Sequence, residues 1–474
     1  MTPDEVSRIQ SWIDEHEKDL LDATVSMLQI PSLESEPEPN APFGRECRRA
    51  LDQALQHCEN WGWRTKDLDG YGGYAEFGEG EKMVAVFGHL DVVPTGHGWS
   101  YPPFGAEIHD GYIYARGAVD DKGPTMAALY ALRAIEQVGA PAGTRFRIFF
   151  GCNEESGFKC IDHYSKVEEQ PTFGIAPDSG WPLYHAEKGI ADVMVSCALP
   201  AGDFALKEMH GGSRPNIVID ECDAVVHVAR IHRPTVEVAL AKLWDRNVSA
   251  KWVGDDLHLK CIGKAAHGAT PFLGDSAASR LLRVLVYLAP PDQREEYIEL
   301  LLATHPSGPG IGIHGGDEPS GDLTANLGIV ETRGGRLHML FNVRYPVTWN
   351  LPEILERMQS RFRRLEMDWK IEDSNDNKPL YFPLEHPMVK TICDVVRAET
   401  GVDRAPGVMG GGTYARAVEN TVSVGTGWEG DGQAHQVDER LKVAHLSKMA
   451  RIYGRMLYEL ALLPAPKELT SQKS

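Results

Sequence analysis

The chain has 474 residues, 42% of them hydrophobic and 24% charged, and its 48 basic against 68 acidic residues leave a net charge of −20. So acidic a surface repels phosphate backbones and disfavours nucleic-acid binding. The longest apolar run, LLRVLVYLA, is cut by Arg283 and falls short of the roughly 18 residues of a membrane span. At about 150 residues per domain the length predicts two or three domains, each able to bury a core. The acidic start, MTPDEVSRIQ, has no apolar h-region, so no signal peptide and a cytoplasmic location are expected. The eight cysteines show no CxxC pairing and read as scattered reduced thiols, not as a disulfide framework or a thiolate zinc site.

In chain order, Val6, Ile9, Trp12, Ile13, Leu20, Leu21 and Leu28 keep helical spacing, which predicts a helix over residues 5–28. Pro31 ends it, and ESEPEPN is a loop. A second helix is predicted over 45–61. MVAVFGHL is a continuous apolar run of the kind found in a buried parallel strand. AEIHDGYIYA sets Asp110-Gly111 between alternating residues, a hairpin signal. DDKGPTMAALYALRAIEQVG opens with Asp, Gly and Pro, continues with helical period and ends at Gly139. RFRIFFGCN and FGIAPD are further strands. Strands alternating with helices predict an α/β domain with a mostly parallel sheet.

Beyond Gly189 the texture changes. ADVMVSCAL, DAVVHVA, DLHLKCIG and LHMLFNVRYP are strand candidates, with helices predicted near 236–245, 277–287 and 351–365, a pattern of α+β type. A helix over 388–399 and the glycine-rich GVMGGGTYAR return to the first style. The predicted architecture is a discontinuous α/β catalytic domain, residues 1–188 and 378–474, with an α+β domain inserted at 189–377.

His89 and Asp91 close the MVAVFGHL strand. Residues two apart on a strand share a face, and ligands bind at the carboxyl edge of open α/β sheets. A carboxylate beside a histidine can orient its ring through the far nitrogen. Asp120-Asp121 precede Lys122-Gly123-Pro124 at a helix start, where one Asp is an ordinary cap and two exceed the need. Glu154-Glu155 follow an apolar strand; paired carboxylates there are costly unless solvated, paired or metal-bound. One can ligate a cation while its neighbour serves as general base. Asp178 ends another strand, and His435 lies in GQAHQVDE. Each alone fits a structural role; together they describe a metal site of nitrogen and oxygen donors. His97, His109, His163 and His185 read as loop histidines, and neither Ser423 nor Cys152 has the His/Asp partners of a nucleophile triad.

GHLDVVPTGHGWSYPPF, AVDDKGP, NEESGF, APD and GGGTYAR, in this order, resemble the co-catalytic metallopeptidases of the carboxypeptidase G, aminoacylase, ArgE and DapE group, most fully its PepV and Sapep type of dipeptidase. The resemblance implies two divalent metal ions per chain, zinc first, with manganese or cobalt as alternatives. It makes His89, Asp120, Glu155, Asp178 and His435 the ligands, with Asp120 bridging the ions and followed by a cis peptide bond. Asp91 becomes the supporting acid and Glu154 the general base acting on a water shared by the ions. The insert becomes a lid: GGSRPNIVID and GKAAHGATP nominate Asn216 and His267, the latter stabilising the oxyanion. Arg344 in FNVRYP would hold the substrate's C-terminal carboxylate, a task suited to its fork of donors, with backbone amides near Gly411 and Gly412 sharing it. Asn153 stands where many relatives have Asp, and Arg214-Pro215 before Asn216 is less usual; these departures bear on substrate preference. The expected function is a dipeptidase acting on small peptides, and the lid resembles that of monomeric relatives, with a homodimer as the alternative. An N-acyl amino acid amidohydrolase would use the same chemistry. An inactive binding protein would require a lost ligand or base, and the sequence retains them all.

Overall fold

The computed structural model describes residues 1–243 and 245–465; residue 244, in a predicted helix, and 466–474, at the end of the predicted last segment, lie outside the described residues. The chain divides into two compact units, one of residues 1–185, 380–408 and 412 onward, the other of 186–379 with 409–411.

The first unit is built on a mixed sheet. Its central strands Thr144–Gly151, Lys82–His89, Phe173–Ser179 and Thr421–Gly425 run parallel in that spatial order. Gly72–Gly78 and Arg64–Leu68 extend one side antiparallel. Lys82–His89 is buried from Met83 onward because it has a neighbour on each side and helices across its face, the setting that erases alternation in a strand's sequence. The helix Lys122–Val138 packs on it, and Ala127, Ala128, Ala131 and Ala134 keep that helix thin enough to be enclosed by Pro3–Glu15, Glu17–Leu28 and Val443–Leu462. Gly88 marks the closest approach: a Cβ there would lie 2.1 Å from Thr125 Oγ1. Gly88→Ala should therefore push the helix off the strand and lower the melting temperature by about 3 °C, about 2 kcal/mol of overpacking, in a thermal scan.

The predicted helix over 5–28 is two helices, Pro3–Glu15 and Glu17–Leu28, parted at His16. His16 leaves helical geometry, donates from Nδ1 to the Trp12 carbonyl at 2.7 Å and stacks on the Trp12 ring at 3.9 Å. The apolar period runs through the break, so periodicity alone does not reveal it. The hairpin forms at Asp110-Gly111, both at positive φ (50° and 80°) as a tight primed turn requires. Arg440–Lys442 adds a third strand to it. Val443–Leu462, outside the predicted elements, buries most of its residues and leaves a narrow polar stripe of Lys448, Arg451, Arg455 and Glu459 at helical spacing, so its period is legible in the sequence.

The second unit carries an antiparallel sheet. Its order is Val248–Val253, Asp256–Ile262, Glu221–Val228, Phe204–Gly211, Thr324–Arg333, Arg336–Tyr345, Gly189–Ala198 and Lys370–Ser374. Glu221–Val228 and Asp256–Ile262 alternate buried and exposed residues, and the buried face meets Ala277–Leu288. Thr324–Arg333 escapes the sequence pattern because its register shifts between Leu327 and Ile329, at Gly328. Among the described residues no helix is long and apolar enough to cross a membrane.

Candidate metal centre

His89 ends its strand with the ring buried, 1% exposed. Its Nδ1 donates to the Asp91 carbonyl at 3.0 Å, while the Asp91 carboxylate lies 3.6 Å away. That donation leaves the lone pair on Nε2, which faces Asp120 Oδ1 at 3.0 Å. The other oxygen of Asp120 lies 3.0 Å from His435 Nε2, and so does Glu155 Oε2. Ligand atoms of His89, Asp120 and Glu155 fall within 4.8 Å of one another, as do those of His89, Glu154 and Asp178. The peptide bond between Asp120 and Asp121 is cis.

Local structure explains why these side chains converge. His89, the Glu154-Glu155 pair and Asp178 sit at the carboxyl ends of three adjacent parallel strands. Asp91 Oδ1 and Oδ2 accept from the backbone N–H groups of Glu154 and Glu155, each at 3.1 Å, so the carboxylate braces the turn on which the two glutamates stand. Asp121 turns the opposite way from Asp120: its Oδ2 accepts from His89 N at 3.2 Å and Thr125 Oγ1 at 2.8 Å, tying strand to helix. The bracing role of Asp121 carries no sequence signal beyond its being a second acid. Buried Asn153 uses both ends of its amide, donating to Ser156 Oγ at 2.8 Å and accepting from Lys159 N at 3.1 Å; an aspartate could only accept.

The electrostatics are those of crowded anions. Burial, then repulsion from neighbouring carboxylates, pushes Glu154 and Asp178 well above the usual carboxylate range. Burial raises Glu155 as well. Burial would also raise Asp120, but its contacts with His435 and His89 hold it low. Those with Asp120 and Glu155 push His435 up to about 10, and in buried His89 contacts with Asp120 and Asp91 reverse the effect of burial. Glu155 Oε1 is buried without a hydrogen-bond partner. Lone pairs and negative charge thus converge, and the donor set fits divalent cations.

The other sequence candidates lie apart in the chain. Asn216 and His267, in the second unit, are neighbours: Gly268 N donates to the Asn216 carbonyl at 2.7 Å, and Ile217 pairs with His267. Both side chains are exposed. Arg344, 5% exposed, donates from Nε to Asn342 Oδ1 at 2.8 Å and from Nη1 to the Gly410 carbonyl at 2.9 Å. Gly411 falls in the second unit beside Gly410, and Gly412 in the first. His109 and His163 pair with Glu107 and Asp69, and His185 donates to the Phe382 carbonyl at 2.8 Å.

The chain matches the profile of Peptidase family M20/M25/M40 over residues 85–459. It is 35% identical to Putative dipeptidase YtjP of Bacillus subtilis (strain 168), over 94% of this chain and 97% of that one. It is 32% identical to Putative dipeptidase of Staphylococcus epidermidis (strain ATCC 12228 / FDA PCI 1200), over 94% and 98%. Among solved structures, human carnosine dipeptidase 1 matches with a TM-score of 0.56 at 16% identity, over 97% of this chain and 99% of that one. Aminopeptidase PepT from Bacillus cereus ATCC 10987 matches with a TM-score of 0.56 at 17% identity, over 94% and 99%. At these identities the structural matches speak for the fold.

Proposed function

Because the chain belongs to Peptidase family M20/M25/M40 and is a metallopeptidase, we propose that it hydrolyses the peptide bond of unblocked dipeptides. The observation that carries the reading is the convergence of His89, Asp120, Glu154, Glu155, Asp178 and His435; relatives over nearly the whole length that bear dipeptidase names add the substrate class. His89, Asp120, Glu155, Asp178 and His435 would hold two divalent ions, zinc first, since imidazole and carboxylate donors suit it, with manganese and cobalt as alternatives. Such ions supply Lewis acidity and an activated water at neutral pH.

Glu154 takes the proton of the attacking water and delivers it to the leaving amine. Burial beside Glu155 and Asp120 raises its proton affinity, the direction that suits a general base. His267 donates to the oxyanion, a contact worth about 3–4 kcal/mol in a preorganised site. Arg344 anchors the substrate's C-terminal carboxylate, its guanidinium steadied by Asn342 and Gly410, with Asn216 and the amides of Gly411 and Gly412 as further contacts. An anchor one residue beyond the scissile bond selects dipeptides by length. Arg344→Met should raise KM for dipeptides by about 100-fold, about 3 kcal/mol for a charged hydrogen-bonded contact, with metal content unchanged by elemental analysis; an unchanged KM would remove the anchor.

The location read from the sequence is the cytoplasm, and the working form a monomer. The deciding experiment strips the enzyme with chelator, restores zinc, manganese or cobalt singly, and assays dipeptides, a tetrapeptide and N-acetyl amino acids. Metal-restored cleavage confined to dipeptides is expected. Equal cleavage of the tetrapeptide would end the length argument, and activity only on N-acetyl amino acids would identify an amidohydrolase.

A further inference from the structure

Glu439, four residues after His435, has no exposed surface, a costly state for a carboxylate unless its oxygens are fully engaged. Oε1 accepts from the backbone N–H groups of Gly117 at 3.1 Å, Val119 at 2.9 Å and Asp120 at 3.2 Å, and Oε2 accepts from Arg116 Nη1 at 2.6 Å. Gly117, at φ +91°, turns the chain so that these amides converge on one oxygen, an anion nest. Arg116, itself 2% exposed, also donates to the carbonyls of Gln436 at 3.1 Å, Pro94 at 3.3 Å and Thr95 at 3.4 Å. The three segments held in this way carry three of the five proposed ligands, His89, Asp120 and His435. Pro94 and Thr95 follow His89 and Asp91, residues 116–120 end on Asp120, and Gln436 adjoins His435.

We infer that Arg116 and Glu439 are positioning residues, a buried clamp that holds Asp120 and His435 at ligand spacing before any cation arrives. The inference rests on the reading that Asp120 and His435 are ligands. A buried ion pair is by itself weak grounds for stability, since apolar replacements are often neutral. Three amides aimed at one carboxylate oxygen define instead the path of one loop, the loop that presents Asp120.

The test uses the full chain with zinc and manganese as probes. Glu439→Gln keeps the shape but turns an NH2 group toward Arg116 or toward the amides, and it should weaken zinc binding by about 10–100-fold, the usual consequence of losing a ligand's support. Arg116→Met/Glu439→Gln removes the unpaired charge, so it separates folding from positioning; its folded chain should show the same weakened affinity in chelator competition. Binding within twofold of the parent by the folded double variant would overturn the clamp and leave the ligand reading intact. No binding of either metal by the parent would overturn both. Independently of any variant, hydrogen exchange on the metal-free parent should find the amides of Gly117, Val119 and Asp120 already protected. Fast exchange there that slows only on adding metal would mean that the cation organises the loop, and would overturn the inference.

Discussion

Glu154→Gln is expected to lower kcat by about 10³-fold or more while KM stays within about threefold and both ions stay bound, the range seen when a general base is removed. Glutamine fills the same space, and its backbone N–H still donates to Asp91, so the turn is kept and only the proton acceptor is lost. Elemental analysis beside the kinetics separates two roles that geometry leaves adjacent, because Glu154 also lies within ligand range of His89 and Asp178. Loss of an ion with the substitution would make Glu154 a ligand; turnover within tenfold of the parent would remove it from the chemistry.

Asp120→Asn should lower turnover by about 10⁴-fold and leave no more than one ion per chain. Asp120 is the acid whose two oxygens face two different imidazoles, each at 3.0 Å. An amide offers one oxygen and turns an NH2 toward the other histidine, so one side of the centre gains a donor where a cation requires an acceptor. Nucleophile activation and charge stabilisation then fall together, which is why the effect exceeds that of a supporting residue. Retention of both ions with turnover within tenfold of the parent would contradict the bridging assignment.

Much of the candidate metal centre is legible in the sequence for a physical reason. Parallel strands are buried on both faces, so MVAVFGHL and RFRIFFGCN appear as apolar runs, and an acid or histidine at the end of such a run stands out because burial makes it costly. The helix over Lys122–Val138 is equally plain, with its start at the Asp pair and its end at Gly139. Legibility fails where one contact decides. Val443–Leu462 is marked by the helical spacing of Lys448, Arg451, Arg455 and Glu459, whereas the break at His16 depends on a ring stacking on Trp12.

The kinds of donor, an imidazole and carboxylates at the ends of adjacent strands, are properties of the sequence, because strand polarity and apolar runs dictate which residues emerge at that edge. The tertiary structure alone decided the geometry of neighbouring acids: Asp120 turns toward two histidines while Asp121 ties His89 N to Thr125, Asp91 braces two glutamate amides, and Glu439 gathers three more. A carboxylate's surroundings are set by the donors that other segments bring within about 3 Å of its oxygens, and those segments lie up to hundreds of residues away in the chain.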